Sequence, residues 1–284
     1  MGRIVHVNGD FLPEEEARIP IFDRGFLFAD AVYEVTSVLR GRLVDWPGHV
    51  ARLKRSLAEL AIPMPRSEAE LLAIHRELID RNRLGEGVVY MQVTRGVADR
   101  DFAWEAGMTP GLVLFTQARP LIDNPAATRG LRVALMPDLR WARRDIKTVQ
   151  LLYPAIAKMR ARERGCDDAW LVEDGLVTEG TSNNAWIITR GGEIVTRDLS
   201  SAILHGVTRA AILNIAAALD LKATERPFTP EEARDAAEAF TTSASGFVMP
   251  VIEIEGTPVG DGRPGPVTQR LRAEYIQRAL DSLT

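Results

Sequence analysis

Lys147 has the sequence surroundings of a nucleophilic amine. It follows Ile146 and precedes a largely apolar run that ends at Leu152. A lysine in apolar surroundings loses solvation, which lowers its pKa and makes the neutral amine available near neutral pH. Most lysines are solvated surface groups, however, and the charged residues 143–145 are also typical of an ordinary loop. The role of Lys147 therefore depends on what other segments of the chain supply.

Glu179 supplies a second chemical group. It lies in the segment Val177-Thr-Glu-Gly-Thr-Ser-Asn183, at the end of a predicted hairpin. A carboxylate about 3 Å from a pyridine nitrogen keeps that nitrogen protonated, and a protonated ring is an electron sink for a substrate carbanion. The competing interpretation is an exposed turn glutamate. Together, Lys147 and Glu179 indicate a site for pyridoxal 5′-phosphate (PLP).

Three further segments have the composition of a phosphate site. Gly206 permits a tight turn before a helix that begins at Val207 or Thr208, where free amide groups and the threonine hydroxyl form an anion pocket. Residues 241–246 are small, so that the backbone can approach a ligand closely. Arg52 offers a bidentate phosphate contact from a helix. Taken singly, these segments are equally typical of a capped helix start, a tight loop and a surface arginine.

Composition and motif spacing exclude several other classes of protein. A net charge of −4 gives no support for a nucleic-acid or anionic-membrane partner, and the apolar runs are too short to span a bilayer. Cys166 is the only cysteine, which excludes an internal disulfide and fits a reducing cytoplasm. The four histidines lack the spacing of a metal site. The glycine pattern at residues 260–265 is stiffened by proline and lacks the βαβ unit of a dinucleotide site.

Hydrophobic periodicity predicts a first domain of mixed α and β structure over residues 1–118. Its second helix, over residues 67–83, begins with a capping box formed by Ser67 and Glu70. The first helix begins at Trp46, and the predicted strands cover residues 3–7, 31–39, 87–95 and 111–117.

A linker is predicted over residues 119–128, which contain two prolines and an Asn-Pro turn. The second domain, residues 129–284, combines a β-meander with helices. Its predicted strands cover residues 131–136, 169–172, 185–189, 193–196, 239–242 and 248–254, with a short strand at Val177. Its predicted helices cover residues 151–164, 208–218, 230–239 and 267–280.

Seven short motifs occur in the order found in one known family. They are Asp23-Arg-Gly, Val32-Tyr-Glu-Val, His49-x-x-Arg-Leu, Val93-Thr-Arg-Gly, Asp145-Ile-Lys, Thr178-Glu-Gly-Thr-Ser-Asn and Leu204-x-Gly-Val-Thr-Arg. With them the chain resembles the fold-type IV PLP enzymes, which include D-amino-acid and branched-chain amino-acid transaminases. The resemblance implies a two-domain α+β fold, with a small α/β N-terminal domain and a larger C-terminal domain with a β-barrel-like core. It also implies a homodimer, and PLP in the cleft between the domains.

Carried over by position, the resemblance gives each cofactor residue a role. Lys147 would bind the cofactor through a Schiff base and later move the α-proton of the substrate. Glu179 would pair with the pyridine nitrogen, and Leu204 would pack against the ring. The family often has a threonine in place of Ala244, so that a hydroxyl contact is lost there. The phosphate would be held by Arg52, the Val207 amide, Thr208, and the turn formed by Ser243 and Ala244.

The substrate residues follow from the same resemblance. D-amino-acid transaminases trap the α-carboxylate with a tyrosine, an arginine and a histidine, the last two from the partner subunit. Tyr33 and Arg100 match this pattern, whereas Phe102 stands where the histidine would be. We therefore expect a cytoplasmic transaminase that transfers an amino group from a D-amino acid, such as D-alanine, to a 2-oxo acid by a ping-pong mechanism.

Four other interpretations remain open at this point. A branched-chain L-amino-acid transaminase normally lacks the equivalent of Arg100. An (R)-selective amine transaminase would use a more apolar pocket, which Phe102 favours. A lyase of the aminodeoxychorismate lyase kind is less compatible with the pair Tyr33 and Arg100, which suits a simple α-carboxylate. A non-catalytic binding module has no need of a nucleophilic Lys147.

Overall fold

The computed structural model describes residues 2–284, which form two compact units. Unit 1 contains the chain up to Pro120, together with Ile146–Gln150 and Ser282–Thr284, and unit 2 contains Leu121–Asp145 and Leu151–Asp281. The division after Pro120 falls inside the linker predicted for residues 119–128. The sequence patterns placed residues 146–150 in the second domain, but their backbone pairs with a strand of unit 1.

In the described part of unit 1, six strands form one sheet in the order β2-β1-β6-β5-β3-β4, and all paired neighbours are antiparallel. The strands are β1 (Ile4–Val7), β2 (Asp10–Pro13), β3 (Ala31–Leu39), β4 (Arg42–Leu43), β5 (Glu86–Thr94) and β6 (Gly111–Ala118). The helices are α1 (Arg24–Phe28), α2 (Trp46–Glu59) and α3 (Glu68–Arg81).

The helices of unit 1 follow from simple sequence features. Helix α2 buries Val50, Leu53 and Leu57, which recur at helical spacing on one face. The capping box that the sequence predicts for α3 is confirmed, since Ser67 accepts from the Glu70 amide and the Glu70 carboxylate accepts from the Ser67 amide. Helix α1 was not predicted, because five residues are too few to show an amphipathic period.

Over residues 121–281, nine strands form the sheet of unit 2, in the order β12-β11-β10-β13-β14-β7-β8-β9 with β15 paired to β14. The strands are β7 (Leu131–Pro137), β8 (Asp168–Glu173), β9 (Leu176–Gly180), β10 (Asn184–Ile188), β11 (Ile194–Thr196), β12 (Ala223–Glu225), β13 (Glu238–Ser243), β14 (Phe247–Ile254) and β15 (Thr257–Pro258). The helices are α4 (Pro125–Arg129), α5 (Leu152–Glu163), α6 (Val207–Ala218), α7 (Pro230–Asp235) and α8 (Pro266–Asp281).

The sheet of unit 2 is curled into a half barrel. Strand β9 lies at one end of the strand order, yet it also packs beside β10, close to the other end. The two strands are joined by a tight turn in which the Gly180 amide donates to the Asn183 carbonyl over 2.8 Å. Apolar side chains such as Trp170, Val195 and Phe228 fill the interior. This confirms the predicted α+β fold with a barrel-like core in the larger unit.

One predicted boundary in unit 2 is wrong. The periodicity predicts a helix over residues 230–239, but α7 ends at Asp235. The Ala237 amide donates to the Ile188 carbonyl, and Glu238 pairs with Ile188 as the first residue of β13. Sheet pairing with a strand that is distant in sequence therefore ends the helix, and no local sequence pattern indicates this end.

No helix within residues 2–284 combines the length and hydropathy that a membrane span needs. In the same part of the chain, no group of three or more His, Cys, Asp or Glu side chains has the arrangement of a metal site.

Candidate active site

The backbone of Lys147 is fixed to β3 in unit 1. The Tyr33 amide donates to the Lys147 carbonyl over 3.0 Å, and the Val149 amide donates to the Ala31 carbonyl over 3.2 Å. The Lys147 amide in turn donates to Ser56 Oγ of α2 over 3.3 Å. The half-buried Lys147 side chain places Nζ 4.1 Å from the centroid of the Tyr33 ring. The structure thus brings the predicted nucleophile and one predicted substrate residue together.

Stacked aromatic rings hold Tyr33 in this position. Its ring lies 5.5 Å from that of Tyr90, which lies 4.7 Å from the ring of Phe115 on β6. The Tyr90 hydroxyl donates to Gln92 Oε1 over 2.8 Å, and burial raises the pKa of Tyr90. A neutral, hydrogen-bonded Tyr90 therefore supports the ring against which the Lys147 amine lies.

Arg52 is held by a buried carboxylate. Its Nε donates to Glu34 Oε1 over 2.8 Å and one terminal nitrogen donates to Oε2 over 2.7 Å, while His49 Nδ1 lies 2.8 Å from Oε2. Such a bidentate pair fixes the plane of the guanidinium. The phosphate contact of Arg52 stays a prediction, to which the structure adds Glu34, the partner that sets its orientation.

The pair of Glu34 and Arg52 predicts a specific pH dependence of stability. Burial alone would raise the pKa of Glu34, but the Arg52 charge, its hydrogen bonds and His49 lower it from 4.5 to about 2. Because the folded state has the lower pKa, this stabilisation is complete above pH 4.5 and is lost as the pH falls through 2. Between pH 5 and pH 3, this carboxyl alone should remove about 2 kcal/mol from the free energy of unfolding.

Urea unfolding at pH 5 and pH 3 measures this loss, with Glu34→Gln as the comparison. The amide does not titrate, so the variant should lose about 2 kcal/mol less than the wild type over this interval. A parallel loss in both proteins would contradict the depressed pKa of Glu34.

Glu179 is buried near the end of β9 in unit 2, with 4% of its surface exposed. Its Oε1 accepts from Arg140 over 2.5 Å, and its Oε2 accepts from Asn184 Nδ2 and from the Leu204 amide, each over 3.0 Å. An ionised carboxylate has about four acceptor sites. Within residues 2–284, Oε1 accepts from Arg140 alone, which leaves an acceptor site for a ring N–H.

The charge of Glu179 is set by two opposed effects. Burial raises the pKa of Glu179, and the neighbouring Arg140 charge lowers it, with burial the stronger of the two. Thr178 and Arg140 both donate to Asp138, which keeps the pKa of that carboxyl low despite its burial. A cationic ring nitrogen would act on Glu179 in the same direction as Arg140 and favour its ionised form.

Asn184 joins Glu179 to the predicted ring-packing residue. Its Nδ2 donates both to Glu179 Oε2 and to the Leu204 carbonyl, the latter over 2.9 Å. Asn184 and Arg140 were both missed by sequence reasoning. The consecutive asparagines 183 and 184, and the pair Asp138 and Arg140 after a buried strand, were the available signals.

The start of α6 has the geometry of an anion pocket. Gly206 is its N-cap, Val207 is its first residue, and no side chain in residues 2–284 caps its free amides. A Cβ atom at Gly206 would come within 2.1 Å of Asn184 Oδ1, so that glycine is required at this close approach. Thr208 is buried directly after Val207. Free amides at a helix N-terminus and a buried hydroxyl suit a phosphate group.

The predicted second phosphate segment lies at the end of β13. Ser243 is the last residue of this strand, and residues 244–246 form the turn to β14. Across the sheet, Asn184 pairs with Thr242, the residue before Ser243. A Cβ atom at Gly246 would lie 3.1 Å from Ser243 Oγ, a tight contact that favours a small residue there. Unit 2 therefore offers a carboxylate for a ring nitrogen, a packing residue, and neutral donors for a phosphate, a set that fits PLP.

Arg100 and Phe102 lie together on an exposed loop of unit 1. The Arg100 guanidinium lies 5.7 Å from the centroid of the Phe102 ring and 5.6 Å from that of Phe28. The Phe102 side chain is 77% exposed. In the described chain, neither residue makes a hydrogen bond or ring contact with Tyr33. One chain thus does not assemble the predicted carboxylate trap.

Arg24 fixes the backbone of this loop. The buried guanidinium donates to the carbonyls of Asp101, Phe102 and Ala103 over 2.6, 3.3 and 3.3 Å, and to Asp30 over 2.9 Å. The Trp104 ring lies 5.6 Å from the Arg24 guanidinium carbon and 3.9 Å from that of Arg95, which also binds Asp30. The exposed loop that carries Arg100 and Phe102 is thus ordered by Arg24 and Arg95, two buried arginines that lie within the motifs Asp23-Arg-Gly and Val93-Thr-Arg-Gly.

Comparison with known proteins identifies the family. The profile described as amino-transferase class IV matches residues 31–254. The D-alanine aminotransferase of Bacillus licheniformis is 38% identical over 279 residues, which cover 98% of this chain and 97% of that protein. The D-alanine aminotransferase of Staphylococcus aureus (strain MSSA476) is 35% identical over 281 residues, covering 98% of each chain. This chain belongs to the class IV aminotransferases.

Solved structures agree in fold. The branched-chain amino acid aminotransferase of Escherichia coli superposes with a TM-score of 0.90 at 20% identity, covering 98% of this chain and 95% of that chain. That of Thermoproteus uzoniensis, solved with norvaline, gives 0.88 at 24% identity, with 100% and 99% covered. At these identities the likeness concerns the fold alone. The predicted fold-type IV enzyme class, its aminotransferase activity and its cofactor, pyridoxal 5′-phosphate, are confirmed.

Proposed function

We propose that this protein transfers the amino group of a D-amino acid, such as D-alanine, to a 2-oxo acid by a ping-pong mechanism. The observation that carries the proposal is similarity to D-alanine aminotransferases over almost the whole chain, at 38% identity to the relative from Bacillus licheniformis. The sequence motifs around Lys147 and Glu179 favour the same activity.

The residues act by binding and by moving one proton. When bound, PLP supplies the electron sink that makes the substrate Cα–H acidic. The Lys147 amine would take that proton from Cα as general base and then give it to the cofactor atom C4′ as general acid. The Tyr33 ring limits where the amine can move, because it lies 4.1 Å from Nζ. Glu179, oriented by Arg140 and Asn184, binds the ring nitrogen.

The phosphate and ring contacts are part of the same proposal. Leu204, whose amide and carbonyl are tied to Glu179 and Asn184, packs against the ring. The phosphate is bound by Arg52, the Val207 amide, Thr208, Ser243 and the backbone of Ala244. The free N-terminal amides of α6 and the orienting effect of Glu34 on Arg52 support these assignments.

The substrate carboxylate is bound by Tyr33 and by Arg100 from the second copy of a homodimer, with Phe102 lining the pocket. Exposed apolar side chains on unit 1 support the dimer, because an interface would remove them from water. They are Ile21, Phe22, Phe26, Val97, Phe102 and Trp104. The single cysteine supports a cytoplasmic location.

A second candidate activity is favoured by Phe102. An exposed phenylalanine beside Arg100, in place of a histidine, makes the pocket more apolar and suits an (R)-amine donor. Assays with D-alanine, (R)-1-phenylethylamine and L-leucine, each with pyruvate or 2-oxoglutarate as acceptor, separate the three transaminase activities. We expect D-alanine to be the fastest donor. Turnover of only L-leucine or only (R)-1-phenylethylamine, with none of D-alanine, would contradict the proposal.

Replacement of Arg100 by alanine should select against carboxylate donors. A hydrogen-bonded charge pair contributes roughly 1.5–3 kcal/mol, so kcat/KM for D-alanine should fall by roughly 10- to 100-fold. Any turnover of (R)-1-phenylethylamine, which has no carboxylate, should change little. Arg119→Ala, which removes an exposed arginine of the same unit, is the matched control. Equal losses for both donors would show that Arg100 does not bind the carboxylate.

A further inference from the structure

Arg272 of α8 is a buried cation that is bound by neutral groups. Its guanidinium donates to the carbonyls of Gly246 and Val248 over 2.8 and 2.9 Å. Its other terminal nitrogen donates to the carbonyls of Leu121 and Ile122 over 2.5 and 3.0 Å. The residue is only 9% exposed. All of these partners belong to unit 2.

The charge of Arg272 has no close counterion among residues 2–284. No carboxylate in this part of the chain comes within ion-pair distance of it, and Asp123 acts on it only at longer range. Burial consequently lowers the pKa of Arg272, although Asp123 opposes the effect. A buried charge is costly unless an opposite charge offsets it. The position therefore suits a site that receives an anion.

The turn that Arg272 holds is strained. The two carbonyls, of Gly246 and Val248, lie on either side of Phe247, whose φ of 61° is in the left-handed region that a bulky side chain rarely adopts. The Phe247 ring packs 5.1 Å from that of Tyr275, one turn after Arg272 on α8. Strained backbone persists where the surroundings over-determine it, and this occurs most often at ligand sites.

The same turn carries the proposed phosphate contacts. Ser243 and Ala244 lie three and two positions before Gly246 in the same turn, and Ser243 pairs with Phe247 across the hairpin of β13 and β14. The hydrogen bonds from Arg272 to the Gly246 and Val248 carbonyls fix the peptide groups on both sides of Phe247, and with them the turn that follows Ser243. A phosphate group carries nearly two negative charges at neutral pH, which is the charge that an unpaired guanidinium would offset.

We propose that Arg272 is a positioning residue for the cofactor phosphate: it holds the turn from Ser243 to Phe247 in its strained form and supplies a positive charge that balances the phosphate. This inference rests on the proposed function, since it assumes that the turn binds the phosphate of PLP. It assigns to α8 a part in cofactor binding that none of the sequence motifs indicates.

The test compares two ligands of the apoenzyme that differ only in the phosphate. Dissociation constants for PLP and for pyridoxal are measured by absorbance titration with the wild type, Arg272→Met and Arg272→Lys. Arg272→Met should weaken PLP binding by roughly 10- to 100-fold and pyridoxal binding by less than about 2-fold. Arg272→Lys keeps the charge and should weaken PLP binding by roughly 3- to 10-fold.

Arg270→Met is the matched control, because it removes an exposed arginine from the same helix and changes the net charge equally. Its affinity for PLP should equal that of the wild type. If Arg272→Met does not fold, the test uses Arg272→Lys instead. The ratio of its affinity for PLP to its affinity for pyridoxal is then compared with the same ratio in the wild type. An unchanged ratio, or parallel losses for PLP and pyridoxal, would overturn the role of Arg272. A wild type that binds no PLP would instead refute the proposed function.

Discussion

Lys147→Ala is expected to lose transamination and the visible absorbance band of the lysine-bound cofactor together. The chain then has no amine at the position that the pairing with β3 and the Tyr33 ring define. General acid–base and nucleophilic roles are lost at once, so kcat should fall by roughly 10⁴-fold or more. Stopped assays with D-alanine and an absorbance spectrum of the purified protein measure the two effects.

Lys54→Ala is the control for this experiment. Lys54 is an exposed lysine of the same unit, ion-paired with Glu68, and its removal should leave both the spectrum and the rate unchanged. Lys147→Arg places a guanidinium near Tyr33 but cannot form the covalent linkage, so it should be as inactive as the alanine variant. A colourless Lys147→Ala protein with full activity would end the proposal.

The second large effect is expected from Glu179→Gln. The amide does not hold a ring nitrogen in its protonated form, and the electron sink is weakened. The loss of a charge-assisted hydrogen bond should lower kcat by roughly 10- to 100-fold. Arg140 would lose one of its two carboxylate partners in a buried position, so the free energy of unfolding should fall by about 3 kcal/mol.

A second buried glutamate of unit 2, Glu238, provides a control that separates the effect of Glu179→Gln on activity from its effect on stability. Glu238 accepts from the Val267 and Thr268 amides at the start of α8, and Glu238→Gln should lower stability without changing kcat or the cofactor spectrum. The Glu179→Gln variant should change the stability, kcat and the cofactor spectrum. A Glu179→Gln protein with the wild-type spectrum and rate would remove Glu179 from the proposed mechanism.

The part of the site that could be predicted rests on local sequence. Gly206 before a helix start predicts an anion pocket because a helix N-terminus has free amides wherever it lies. The small residues around Ser243 likewise predict a close backbone approach. Lys147 and Glu179 have the side-chain types that PLP requires, which are a nucleophilic amine and a carboxylate for the ring nitrogen. These predictions depend only on residues a few positions apart in the sequence, so they can be made without knowledge of the fold.

Other features depended on contacts between distant residues. Arg140 meets Glu179 because it follows β7, which lies two strands from β9 in the sheet, and Glu34 meets Arg52 because α2 packs on β3. Similarly, α7 ends where β13 pairs with β10, not where its helical period ends. Such long-range pairings leave no local pattern, since each partner alone is an ordinary polar residue.

Local sequence therefore predicts which groups would do the chemistry: the Lys147 amine, the Glu179 carboxylate and two turns suited to an anion. Only the folded chain shows the neighbours that orient these groups. It places Arg140 against Glu179, Tyr33 against Lys147, and Arg272 behind the turn at Gly246. The physical reason is that chemical type is a property of one residue, whereas burial, charge pairing and strain are properties of the surroundings that only the folded chain provides.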